Sequence, residues 1–221
     1  MVLYFKSALP DGTPVTLYMG RDKVENEDLI KHGLACDVWF HVDKLSSAHV
    51  YLRMPEGMDW ENIPESIITD AAQLTKANSI EGNKRDKITI IYTPHENLKK
   101  DGSMAVGQVA FHKSKKVKRV MIAERENAIV NRLMKTKKET YPDLFAEKVA
   151  WEKEQRAKER KATAKEREEA AKAIEEARKW KELKNYKGII DQEDNMQSNR
   201  IQLDEEKDER ENVEAFEEDF M

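Results

Sequence analysis

Trp39, His41, His49, Tyr51 and Arg53 fall at alternating positions of two short runs, 37–42 and 49–54, separated by a polar turn. Successive side chains of a strand point to opposite sides, so these five share one face of a strand–turn–strand unit. Val38, Phe40, Val42, Val50, Leu52 and Met54 share the other and form a core face. An open surface of aromatic rings, imidazoles and a guanidinium suits stacking against bases and hydrogen bonding to phosphates. Lys44, in the turn, would add a phosphate contact.

Other chemistries compete for the same residues. The histidines stand at 32, 41, 49, 95 and 112, with no helical i, i+4 pair, and Cys36 is the only cysteine. That pattern lacks the ligand spacing of a zinc site and excludes an intramolecular disulfide. His41 and His49 are better placed to approach each other across paired strands. Asp43, Ser46, Ser47 and His49 supply the residue types of a hydrolytic triad. A triad needs a strained nucleophile turn and partners arriving from separate elements, and nothing here provides them. A polar turn whose hydroxyls cap backbone amides explains the cluster. No glycine-rich phosphate loop precedes a helix, so we expect no enzyme, metal or cofactor.

A second constellation is basic. Lys113, Lys115, Lys116, Lys118 and Arg119 crowd together, with Lys84, Arg85, Lys87, Lys99 and Lys100 upstream. Lys118 and Arg119 point to opposite faces of their strand. Lysines protect an exposed sheet edge from aggregation, but a local positive field also attracts phosphates. The sign of the following segment favours nucleic acid.

The elements that position these residues read as an α+β domain. Strands are expected over 2–5, 15–19, 86–92, 106–111 and 117–122, besides the central pair. A short helix should start at Asn26 as N-cap and stop at Gly33; a longer one should cover 64–80, with Ile67, Ala71 and Leu74 on its apolar stripe. The expected architecture is a mostly antiparallel sheet with two helices on one side. From Glu124 the period turns helical, Pro142 interrupts it, and no breaker follows until Gly188. Apolar heptad positions fail in the middle of this arm. Pairs such as Glu168–Lys172 and Glu175–Lys179 support the helix there instead.

Charge divides the chain in the same places. Residues 1–122 carry 17 Lys/Arg against 16 Asp/Glu, residues 123–188 carry 19 against 14, and residues 189–221 carry 3 against 13. The net charge of −4 thus conceals a neutral domain, a basic helical or coiled-coil arm and an acidic tail. The tail lacks periodicity and is expected to be disordered. No run of about 18 uncharged apolar residues exists, so no membrane span is expected. The lone cysteine fits the cytoplasm, with the nucleus as alternative.

Gly20-Arg21-Asp22-Lys23, Glu25-Asn26-Glu27 and Leu29 precede Asp37-Val-Trp-Phe-His41 and Ser47-Ala-His-Val50; Ala71-Ala72, Asn78-Ser79 and Val106-Gly-Gln-Val109 follow. This order resembles the NFACT-R domain over nearly all of residues 1–122, and the arm-plus-tail layout resembles its small stand-alone members. The resemblance implies RNA binding, with tRNA or ribosomal RNA as partner in ribosome-associated quality control or translation. It also implies DNA as an alternative ligand, with membrane association known for stand-alone relatives. Many large members have Gly-Ser-His where this chain has Ser47-Ala48-His49, which removes backbone freedom at the loop. The competing reading is an interaction scaffold whose arm binds a protein partner or forms a homodimer.

Overall fold

A computed structural model of the chain describes residues 1–186 in full and, beyond them, only the helical backbone through Glu218. The disordered tail expected over 189–221 lies outside the residues described in full. The chain divides into two units, Met1–Gln155 and Arg156–Met221.

The first unit is built on seven antiparallel strands. In chain order its elements are β1 (Val2–Ala8), β2 (Pro14–Gly20), α1 (Lys23–His32), β3 (Asp37–Val42), β4 (Val50–Arg53), α2 (Glu65–Ala77), β5 (Ile88–Pro94), β6 (Leu98–Lys99), β7 (Ala110–Phe111), β8 (Lys118–Ile122), α3 (Asn127–Lys135), β9 (Lys138–Thr140) and the start of α4 (Leu144–Glu218). The sheet order is β8-β5-β3-β4-β2-β1-β9, with β6 and β7 forming a separate short hairpin. Register follows the alternation: Val38 pairs with Leu52 and Phe40 with Val50, while Trp39 pairs with Tyr51 on the opposite face.

One face holds the larger apolar core. Ile67, Ala71 and Leu74 of α2 pack there with Phe40, Val42, Leu52 and Leu17, joined by Leu133 of α3. α3 and β9 lie beyond residue 122, where the arm was expected to begin. The structure packs them into the first unit, β9 pairing with β1 at the sheet edge. Asp70 of α2 fastens α3 by accepting from Arg132 Nη2 at 2.6 and 2.8 Å, and it also accepts from Ser7 Oγ. Val130 and Leu133 recur at helical spacing and are buried; that spacing reports a helix but not which unit its apolar side packs against.

The helices do not share one side. α1 lies on the face opposite α2, with Leu29 buried in a second cluster beside Trp39, Tyr18 and Tyr51. Its N-cap is Asp22, whose carboxylate accepts from Val24 N and Glu25 N at 3.0 Å, rather than Asn26, which sits buried inside the helix. Gly33 ends α1 for a packing reason, since a Cβ there would overlap the His95 ring. The strand expected over 106–111 shrinks to Ala110–Phe111, because Gly107 adopts φ +80° and turns the chain.

In the second unit the helix carries the charge pairs its spacing suggests. Lys172 meets Glu168 at 2.6 Å and Lys179 meets Glu175 at 2.9 Å. Among the described residues no helix is long and apolar enough to cross a membrane.

Candidate nucleic-acid interface

The five residues expected on one strand face do share it, but that face is covered. Trp39 is 1% exposed, His49 3% and Tyr51 0%. Leu98 and Phe111 of the β6–β7 hairpin, Val117 just before β8, Leu144 of α4 and Leu29 of α1 close over them. The open stacking surface is therefore corrected to a second core of polar aromatics. Alternation reports which side chains share a side, not whether that side meets water.

At one end of this layer Asp37 organises a buried network. Its carboxylate accepts from Arg53 Nε at 3.0 Å, Tyr18 Oη at 2.5 Å and Leu34 N at 2.8 Å. The Arg53 guanidinium lies 4.9 Å from the Tyr18 ring centre and 3.7 Å from Glu147. Burial disfavours the arginine charge, yet Asp37 outweighs it and holds the pKa of Arg53 above its ordinary value. A guanidinium so committed has little left to offer a phosphate. Tyr51 and Tyr18 stack at 5.0 Å, and Tyr18 on Tyr4 at 5.7 Å, continuing the layer across β4, β2 and β1.

At the other end Trp39, His41 and His49 pack ring against ring. His41 stacks on Trp39 at 5.2 Å, and His49 meets both edge-on at 5.3 and 5.0 Å, so the two histidines do approach each other. His41 is half-buried, and its Nδ1–H donates to the Val42 carbonyl at 2.7 Å. Burial, then the neighbouring His41, lowers the pKa of His49 to about 4; burial also lowers that of His41. Both rings are thus neutral at pH 7. Trp39 Nε1, His49 Nδ1, Tyr51 Oη and Asn26 Oδ1 are buried without a hydrogen-bond partner. Each such atom costs about 1–3 kcal/mol of desolvation. Sequence reasoning missed Asn26 as part of this cluster, having assigned it to a cap.

The basic residues separate as their strand positions require. Lys118 turns to the α2 side, where Nζ donates to the Glu61 carbonyl at 2.7 Å and lies 4.8 Å from the Trp60 ring centre. It leaves the proposed binding set. Arg119 is exposed on the other side, 4.0 Å from Asp43. Lys113, Lys115 and Lys116 are exposed on the turn leading into β8, an edge strand of the sheet. Lys44 is exposed in the β3–β4 turn with φ 61°. Lys87, noted as basic but not placed in the candidate site, is exposed at the start of β5 with φ 51°. Met121 is 68% exposed on β8, paired with Thr89 of β5.

A seven-stranded antiparallel sheet carrying a buried Trp–His layer and a basic edge can now be compared with known proteins. Residues 1–113 match the model of the NFACT protein RNA binding domain, and the chain belongs to that family. Within it, the chain is similar to coiled-coil domain-containing protein 25 of Danio rerio, 58% identical over 199 residues, 90% of this chain and 95% of that protein. It is also similar to the coiled-coil domain-containing protein 25 homolog of Dictyostelium discoideum, 49% identical over 208 residues, covering 94% and 99%. The Mus musculus protein of the same name is 50% identical over 200 residues, covering 90% and 96%.

Proposed function

We propose that this chain is a non-enzymatic RNA-binding protein whose first contact with RNA is the basic edge formed by β8 and its flanking turns. The carrying observation is that Lys113, Lys115, Lys116, Lys44 and Lys87 are exposed and, among the described residues, form no ion pair or side-chain hydrogen bond. Arg119 extends the strip, its pairing with Asp43 being loose and solvent-exposed. Free ammonium groups neutralise phosphates and release counterions, a term insensitive to base sequence. The family model's description supports RNA as the ligand; tRNA or ribosomal RNA as the target and the ribosome as the setting are the proposed extension of it. Phosphate contacts alone do not distinguish RNA from DNA, so DNA is the comparison ligand.

Fluorescence anisotropy with labelled tRNA tests the reading. Lys113→Glu, Lys115→Glu and Lys116→Glu together are expected to weaken binding at least tenfold and to flatten the plot of log affinity against log salt. Each lost contact should change that slope by about 0.7 to 0.9. Affinity and slope equal to the parent's would remove the basic edge from the interface.

The arm supports a second reading as a partner-binding or dimerising element. Trp180, Leu183 and Tyr186 stand at successive i, i+3 positions of α4 and are 67%, 63% and 69% exposed. Helical spacing places them on neighbouring parts of one side. Sedimentation velocity across a concentration series is expected to show a faster species at high protein concentration, abolished by Trp180→Glu. A concentration-independent monomer would exclude the dimer.

A further inference from the structure

We infer that the open end of the sheet, where His41, Thr89, Arg119 and Met121 line one side of β3, β5 and β8, is a platform for an unpaired RNA base. The inference rests on the RNA-binding reading above and adds a base contact to its phosphate contacts.

Two cross-strand rows make the platform. His41 of β3 pairs with Ile91 of β5, and Ile91 with Arg119 of β8. In the next row Asp43 N donates to the Thr89 carbonyl at 2.9 Å, and Thr89 pairs with Met121. Alternation puts both rows on the side opposite α2, because Val42, Ile90 and Ile122 between them pack into the core under that helix. Asp43 and Arg119 meet across this side at 4.0 Å. The cover over the polar aromatics stops short of the rows. Phe111 reaches Trp39, with ring centres 5.8 Å apart. Farther along the strands, His41, Asp43 and Thr89 are half-buried, Arg119 is exposed and Met121 is 68% exposed.

The side chains of the rows suit a flat ring system with a polar edge. Neighbouring strands lie about 4.8 Å apart and same-side residues about 7 Å apart, so the rows span about 10 by 7 Å. Ile91 is the buried floor and the Met121 thioether, a polarizable group that favours aromatic rings, is the exposed one. Hydrogen-bonding groups surround them. The Asp43 carboxylate accepts, the Arg119 guanidinium donates and the Thr89 hydroxyl does either. His41 gives its Nδ1–H to the Val42 carbonyl, which leaves Nε2 as an acceptor.

Charge at both ends of the platform selects the occupant. At one end Lys44 follows Asp43 and Lys87 precedes Thr89 by two residues; both are exposed. At the other, Thr93 Oγ1 donates to the Lys116 carbonyl at 2.9 Å, which brings the exposed turn of Lys113, Lys115 and Lys116 beside β5. Six residues of β5 separate Lys87 from Thr93, about 20 Å. A nucleic-acid strand crossing between these lysines sets its phosphates on them and its bases on the rows between. An acidic peptide would satisfy the lysines but set carboxylates against Asp43 and bring no ring to Met121. A duplex keeps its bases stacked inside, so the ligand is an unpaired base of a single strand.

Anisotropy with the full chain compares a short single-stranded RNA with an oligomer of the same length and charge that lacks bases. The methyl resonance of Met121 is followed by NMR through both titrations. The parent is expected to bind the RNA about tenfold more tightly, within the range for one stacked base. RNA should move the Met121 methyl signal upfield, the effect of a ring current above it, and the base-free oligomer should leave it in place. Met121→Ala keeps every charge, so it should cut the preference for RNA severalfold without changing affinity for the base-free oligomer. Equal binding of both oligomers by the parent overturns the base contact and leaves the RNA-binding reading intact; binding of neither overturns both. A preference for RNA that leaves the Met121 methyl signal unmoved, or that persists undiminished in Met121→Ala, overturns the platform.

Discussion

Histidine 49 is the residue at which burial has the clearest thermodynamic consequence. Its pKa lies near 4 in the folded chain, against about 6.5 when unfolded. Above pH 6.5 neither state is protonated and the stabilisation is complete. As pH falls below 6.5 the unfolded chain takes up the proton first, so stability declines until about pH 4, where the folded chain protonates as well. The loss from this residue is about 3 kcal/mol. His41 and His95 are shifted the same way by burial and deepen the trend. Urea midpoints measured between about pH 7.5 and pH 4.5 should fall steadily, and His49→Gln should flatten the curve. A parental curve without slope in that window would show His49 to be accessible to protons.

At the scale of elements, α3 carries the first unit past residue 122. Leu133 is fully buried against the α2 side of the sheet, and Arg132 answers the buried carboxylate of Asp70. Leu133→Ala is expected to cost about 2–5 kcal/mol, the range for a cavity in a packed core. Thermal or urea unfolding of the whole unit should shift accordingly. A change confined to local exchange of residues 127–140 would mean that α3 is an appendage. The legible elements were those with strong local signals: the paired strands β3 and β4, and the stripe of α2. Less was visible where contact at a distance set the outcome. Asp22 won the cap of α1 because its carboxylate reaches two free amides, while Asn26 was drawn inward by the sheet. Gly107 broke an apparently apolar strand by turning toward Glu27.

For the whole molecule the distribution of charge matters more than its sum. Residues 189–221 carry 3 Lys/Arg against 13 Asp/Glu, the sign of RNA itself. On the proposed RNA-binding reading, such charge repels the ligand at long range. Deleting 189–221 is therefore expected to raise tRNA affinity severalfold at low salt. The gain should vanish at about 1 M salt, where screening reaches only about 3 Å. Unchanged affinity at low salt would mean that the tail's charge plays no part in RNA binding.

Residue order alone determined the strand alternation that puts Trp39, His41, His49, Tyr51 and Arg53 on one side, the three-part division of charge, and the motif order that marks the family. Those properties are local or compositional, so they are written into neighbouring positions. Only the tertiary structure decided that this side is closed, that Asp37 and Glu147 occupy Arg53, and that Lys118 turns away from Arg119 toward Glu61. Each depends on which distant segment packs across the sheet. Hydrophobic spacing shows that a side chain seeks cover; the meeting of α1, the β6–β7 hairpin and the start of α4 determines what supplies it.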